Sequence, residues 1–220
     1  MATFDCYGTL IQWDEGLMAA METILARKGR KIEAGTFILV YDRHEHQLEH
    51  TKPHLSFADV TAKALQLAMR DFSLEADAGD AELLTSSIGR MPPFPEVAAT
   101  LRKLKEAGFK LAIISNTDDA IIAGNVAQLG GAIDRVITAQ QAPSRQIFEH
   151  AWQSLDVTKD ELAHICASPH LDLTAARDLC FRAVWVDRGT GRRPPADYEP
   201  DAVAHGLDDV PGFFEAAGWV

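Results

Sequence analysis

The sequence predicts an α/β fold, a Rossmann-like doubly wound parallel sheet with a helical cap inserted after its first strand. Three observations carry this. The chain opens on a short apolar run, Met1-Ala2-Thr3-Phe4, that ends in Asp5. After residue 91, amphipathic helical patterns alternate with apolar runs of strand length. Between these parts lies a long stretch, 14–90, with helical periodicity and no strand pattern. The predicted division is a core of residues 1–13 and 91–220 and a cap of residues 14–90.

Residues 2–5 read as a strand. In 14–29, Leu17, Met18, Met21, Ile24 and Leu25 recur at helical spacing before the stop signal Arg27-Lys28-Gly29. A second helix covers 33–51, apolar at first and then very polar, and ends before Pro53. A third covers 57–72, with Phe57, Val60, Ala64, Leu65 and Ala68. Residues 71–80 read as an acidic linker and 81–89 as a short helix. The stiff run Met91-Pro92-Pro93-Phe94-Pro95 marks the return to the core. A helix over 95–107 follows, and Phe109 to Ile114 has the continuous apolarity of a parallel strand buried on both faces. Further helices are expected at 118–128, 145–155, 172–179 and 208–217, with strands at 135–138, 164–167 and 182–186. Residues 187–200 form a loop rich in Pro, Gly and Arg, whose Arg188, Arg192 and Arg193 read as a solvated basic surface.

At 47% apolar and 24% charged residues, the composition is that of an ordinary globular protein. A net charge of −11 argues against nucleic-acid or anionic-membrane partners, so an anionic ligand needs a local cation. Three scattered cysteines, Cys6, Cys166 and Cys180, form neither a disulfide framework nor a metal motif. With no signal-peptide pattern and no membrane-length apolar run, the expectation is a cytoplasmic protein. His46 and His50 stand four apart on a helix, but without supporting ligands they are not read as a metal site. His150, His164 and His205 read as structural or solvated.

In an open α/β sheet, ligands sit beyond the carboxyl ends of the strands. Four such ends are expected to converge. They supply Asp5, Tyr7 and Thr9; Ser115, Asn116 and Thr117; the loop from Ala139 to Arg145; and Ser168, His170 and Asp172. A carboxylate ringed by hydroxyl and amide donors suits nucleophilic catalysis through a covalent ester. Tyr7, Leu10 and Trp13 are candidates for an apolar wall.

Phe4-Asp5-Cys6-Tyr7-Gly8-Thr9-Leu10 resembles the first motif of the haloacid dehalogenase superfamily, Ile113-Ile114-Ser115-Asn116 its second, and Asp172 the second acid of its fourth. Superfamily phosphatases carry Asp-x-Asp in the first motif, whereas here the second position is Tyr7, and Ala167 stands at the first acidic position of the fourth. Tyr7 instead resembles the type II, L-2-haloacid dehalogenases, which need neither metal nor cofactor.

The resemblance implies that Asp5 displaces halide from a short 2-haloalkanoate and that water hydrolyses the resulting ester to the 2-hydroxy acid. Thr9, Ser115 and Asn116 then serve the nucleophile and the substrate carboxylate. Arg43 stabilises the halide, and Asp172 activates water. Tyr7, Leu10, Thr117, Ser168 and His170 complete the substrate site, and a homodimer is common in the family. The readings set against this one are a Mg²⁺-dependent phosphatase and a catalytically silent binder of small carboxylates.

Two departures stand out. The family's third loop carries a lysine that pairs with the nucleophile, whereas Gln140-Gln141-Ala142-Pro143-Ser144-Arg145 has none and is short between Ala142 and Pro143. The flanking residues fit the family, which favours a segment omitted there over true loss, and Arg145 is the nearest substitute. In the fourth loop, Ala167, Ser168, Pro169 and His170 fill positions that often hold Ser and Asn.

Overall fold

The computed structural model describes residues 1–49, 51–141 and 146–218. Its centre is a six-stranded parallel sheet of β1 (Ala2–Phe4), β2 (Leu111–Ser115), β3 (Arg135–Thr138), β4 (Ala163–Cys166), β5 (Arg182–Val186) and β6 (Ala202–Ala204), in the order β3-β2-β1-β4-β5-β6. All pairings are parallel, the doubly wound arrangement the sequence predicts. β1 is short and central, between β2 and β4. Phe4 lies opposite Ile113 on one side and Ile165 on the other. The next amide, Asp5 N–H, donates to Ile165 O at 3.0 Å, so Asp5 sits at the carboxyl edge of the sheet.

Between β1 and the rest of the sheet, four helices pack on one another: α1 (Trp13–Arg27), α2 (Ala34–Glu49), α3 (Phe57–Asp71) and α4 (Ala78–Ile88). α1 buries Leu17, Ala20, Met21, Ile24 and Leu25, a stripe at helical spacing. α2 buries Ala34, Phe37, Tyr41 and Glu45, so its inward stripe turns from apolar to acidic along its length. Ser56 caps α3 by accepting from Asp59 N–H at 3.0 Å.

The acidic stretch 71–80 is not all linker. Asp77 and Asp80 form a reciprocal capping box, so α4 begins at Ala78 rather than 81. Asp80 has no solvent exposure and is neutralised by Lys28 at the end of α1.

The entry and exit of this insertion are held side by side. Ile11 bridges Pro93, Gln12 N–H donates to Pro92 O at 2.9 Å, and Gln12 Nε2 donates to Pro93 O at 2.8 Å. The remaining helices are α5 (Val97–Glu106), α6 (Asp119–Val126), α7 (Gln146–Leu155), α8 (Thr174–Leu179) and α9 (Val210–Ala216). β6 was not expected. It has three residues, too few for a period to show, and its place is set by pairing with Val184 to Val186 of β5.

The basic loop after β5 is anchored rather than merely solvated. Arg188 donates to Glu96 at 2.6 Å and to Thr9 O at 2.6 Å, and lies 3.7 Å over the Phe94 ring. Cys6 and Cys166 are buried free thiols. Among the described residues, no helix is long and apolar enough to cross a membrane.

Candidate active site

A cavity of about 190 Å³ lies between the carboxyl edge of the sheet and the helical insertion. Its floor is Asp5, Tyr7, Gly8, Ser115, Asn116, Ala167, Ser168, His170 and Leu171. The insertion supplies Trp13, Asp42, Glu45, His46, Glu49 and Phe57, and the loop after β5 supplies Arg192. A second cavity, lined by Asp172 and His170, also reaches Asp5, Ser115 and Asn116.

Asp5 is held by its own strand end. The turn to Gly8, whose φ of +79° favours glycine, brings Thr9 back over the aspartate. Thr9 Oγ1 donates to Asp5 Oδ2 at 2.7 Å and accepts from Ala167 N–H at 2.8 Å. That one hydroxyl ties Asp5 to the loop after β4. Burial pushes the Asp5 carboxyl well above the usual carboxylate range, and the charge of nearby Asp172 pushes the same way. The Thr9 hydroxyl, the Cys6 backbone and the positive Arg192 oppose the rise.

The Tyr7 hydroxyl is engaged, through Asn125, with the insertion's return segment. It donates to Asn125 Oδ1 at 3.0 Å, and Asn125 Nδ2 donates to Ile88 O and Met91 O at 2.9 and 3.1 Å. The phenol is therefore committed to holding the end of the insertion, and burial raises its pKa. Its ring stacks on Phe57 (6.1 Å, 6°) and tilts against Trp13 (5.2 Å, 54°). These three rings make the cavity's aromatic wall. Asp118, beyond β2, accepts from Phe57 N–H at 3.1 Å and Ala58 N–H at 2.8 Å, which fixes that end of α3 over the sheet.

Asp172 sits in a π-helical turn, Pro169–Leu173, before α8 and is buried. Its Oδ1 lies 3.0 Å from His164 Nε2, and His164 Nδ1 lies 3.0 Å from Thr3 Oγ1. His164, Cys166 and Asp172 are the group of three metal-ligand types that the described residues bring within 4.8 Å. Both imidazole nitrogens are already engaged, so the cluster is a hydrogen-bonded support for Asp172.

The sequence-predicted residues divide clearly. Asp5, Tyr7, Ser115, Asn116, Ser168 and His170 line the main cavity, as does Trp13. Thr9 contacts Asp5, and Asp172 joins Asp5 in lining the second cavity. Leu10 and Thr117 are fully buried and line neither cavity. Arg43 is exposed on α2 and does not line the cavity. Tyr41 and Glu45 face inward, which puts Asp42, Glu45, His46 and Glu49 on the cavity side and turns Arg43 away. Arg145, the junction Ala142–Pro143 and His50 lie outside the described residues.

Sequence reasoning missed the acidic wall and Arg192. Burial raises Asp42 to about 6 and Glu45 to about 8, and raises Glu49 as well. Tyr41 donates to Glu45 at 2.7 Å. The available signal was the polar second half of a helix whose first half is core.

Comparison with known proteins agrees with this geometry. A family model described as haloacid dehalogenase-like hydrolase matches residues 1–179. The (S)-2-haloacid dehalogenase 4A of Burkholderia cepacia is 28% identical over 205 residues, covering 90% of this chain and 86% of that one. The L-2-haloacid dehalogenase of Xanthobacter autotrophicus, solved with chloropropionic acid covalently bound, superposes with a TM-score of 0.81 at 20% identity, covering 97% of each chain. A magnesium-bound putative hydrolase of the same superfamily, YfnB from Bacillus subtilis, reaches 0.82 at 11% identity and 97% coverage of each chain. Backbone likeness therefore does not separate the branches, and the side chains must. The chain belongs to the haloacid dehalogenase-like hydrolase family.

Proposed function

We propose that this protein is a hydrolytic dehalogenase of short (S)-2-haloalkanoic acids, with the insertion acting as a cap over the active site. The observation that carries the reading is Tyr7. Where a superfamily phosphatase has a second carboxylate, this chain has an aromatic wall whose hydroxyl is already bonded to Asn125. Similarity to relatives named (S)-2-haloacid dehalogenase supports the same class.

In the first step an Asp5 carboxylate oxygen attacks the substrate's Cα. The carbon–halogen bond breaks, the electron pair leaves with the halide, and an ester with inverted configuration remains. In the second step water adds to the Asp5 ester carbonyl and gives up a proton to Asp172. The Asp5 Cγ–O bond to the substrate oxygen then breaks, the departing alkoxide takes the proton back from Asp172 to become the 2-hydroxy acid, and Asp5 loses its remaining hydroxyl proton to solvent to regenerate the carboxylate. Thr9 orients Asp5 throughout, at 2.7 Å. Ser115 and Asn116, at the end of β2, are placed to receive the substrate carboxylate. Trp13, Tyr7 and Phe57 exclude water and strengthen the remaining polar contacts.

The test is chloride release from (S)-2-chloropropionate without added metal, lost in Asp5→Asn. Absence of halide release from chloro- and bromoacetate as well would refute the dehalogenase reading.

A further inference from the structure

Displacement leaves a halide in a cavity that is otherwise acidic, and a departing anion needs a cation or weakly hydrated donors. Among the described residues, Arg192 is the one lysine or arginine lining either cavity at Asp5. It comes from the loop between β5 and β6, a segment the sequence reading left as solvated surface.

We propose that Arg192 is the halide-holding residue of this site. The assignment rests on the dehalogenase reading of the same cavity. Three observations support it. First, Arg192 is held in place: its Nη1 and Nη2 donate to Asp14 at 3.0 and 2.8 Å, and Nη1 also donates to Thr190 at 3.3 Å. A guanidinium has five N–H donors, so these three bonds leave two for a ligand. Second, the loop is pinned at its base, where Arg188 bonds Glu96 and the carbonyl of Thr9. Third, Arg192 lines the same cavity as Asp5 and the insertion's Asp42, and its charge acts on both carboxyls. In-line displacement sends the halide away from Asp5, toward the cap. Arg43, exposed on the outside of α2, is not placed for this role.

Binding to Asp5→Asn protein, which needs no turnover, tests the assignment separately from the chemistry. Trp13 lines the cavity and reports occupancy by tryptophan fluorescence. Bromide, acetate and (S)-2-chloropropionate are titrated into Asp5→Asn alone and combined with Arg192→Gln, Arg192→Lys or Arg43→Gln. The expected result is that Arg192→Gln weakens bromide and chloropropionate at least tenfold and acetate much less. Arg192→Lys is expected to recover part of the loss, and Arg43→Gln to change nothing, with thermal midpoints unchanged throughout. Unchanged bromide affinity in Arg192→Gln overturns the proposal. So does a loss confined to acetate, which would move Arg192 to the carboxylate. Failure of wild type to release halide, with bromide binding still dependent on Arg192, would sink the dehalogenase reading and leave the anion site standing.

Discussion

His164 Nε2 lies 3.0 Å from Asp172 Oδ1, and both groups are buried near Asp5. The other ring nitrogen reaches Thr3, two residues before Asp5 on β1. One imidazole therefore ties β1, the strand that leads to Asp5, to Asp172. His164 is edge-on to Phe148 and Phe181, at 5.2 and 6.0 Å.

That aromatic setting gives a clean test. His164→Phe fits among aromatic rings but leaves Asp172 and Thr3 without their shared partner. The expected stability loss is about 1–3 kcal/mol, the cost of unsatisfied buried polar groups. In turnover, ester hydrolysis should slow more than ester formation, so rapid quench and mass spectrometry should find Asp5 ester accumulating. Equal slowing of both steps would reduce His164 to a packing role.

Thr9 carries two bonds at once, to Asp5 and to Ala167. Thr9→Val keeps the volume and removes both. Steady-state kinetics should show kcat falling at least tenfold with KM little changed, because the hydroxyl orients the nucleophile rather than the substrate. Thr9→Ser should retain most of the activity.

The acidic cap wall predicts a pH dependence. Asp42 titrates near 6 and Glu45 near 8, both raised by burial, so each is neutral below its value and charged above it. The substrate stays anionic throughout. Its KM should therefore rise as pH passes about 6 and again about 8, and Asp42→Asn should remove the first rise. At the acid end kcat should fall as Asp5, itself raised, takes up a proton. The same shift gives the stability sign for Glu45. Its folded value exceeds the ordinary 4.5, so its favourable contribution is complete below 4.5 and is lost as pH rises through about 8. Urea melts of Glu45→Gln should show a smaller alkaline loss of stability than wild type.

Much of this site was legible in the sequence, because strand ends are marked where an apolar run meets polar residues. Asp5, Ser115, Asn116 and Asp172 were found that way, and the structure brings them together. Arg43, named from the resemblance alone, lies on the outer face of α2 for a helical reason. Successive residues on a helix are rotated by about 100°, and the polar second half of α2 gave no apolar phase to read. The buried pair Tyr41 and Glu45 sets that phase, and it selects Asp42 over its neighbour. Arg192 was missed because a loop has no period; its position comes from contacts with Asp14, over a hundred residues away in the chain.

The helical insertion should depend on one fully buried acid, Asp80. Asp80 is unexposed, accepts from the Asp77 amide at 2.9 Å, and pairs with Lys28. Asp80→Ala removes the capping box and leaves Lys28 with only the exposed Asp77 as partner. The expected loss is about 1–2 kcal/mol in urea denaturation, the range of a lost helix cap. A change below about 0.5 kcal/mol, the range of ordinary surface substitutions, would contradict the packing account of α1 and α4.

The covalent role of Asp5 is the central claim, and one isotope measurement tests it most directly. With enzyme in excess over (S)-2-chloropropionate in H₂¹⁸O, a single turnover should place ¹⁸O in the Asp5 carboxylate. The lactate released, of inverted configuration, should carry unlabelled oxygen on C2. Lactate labelled in that first turnover, with Asp5 unlabelled, would show that water attacks the substrate directly and would contradict the account.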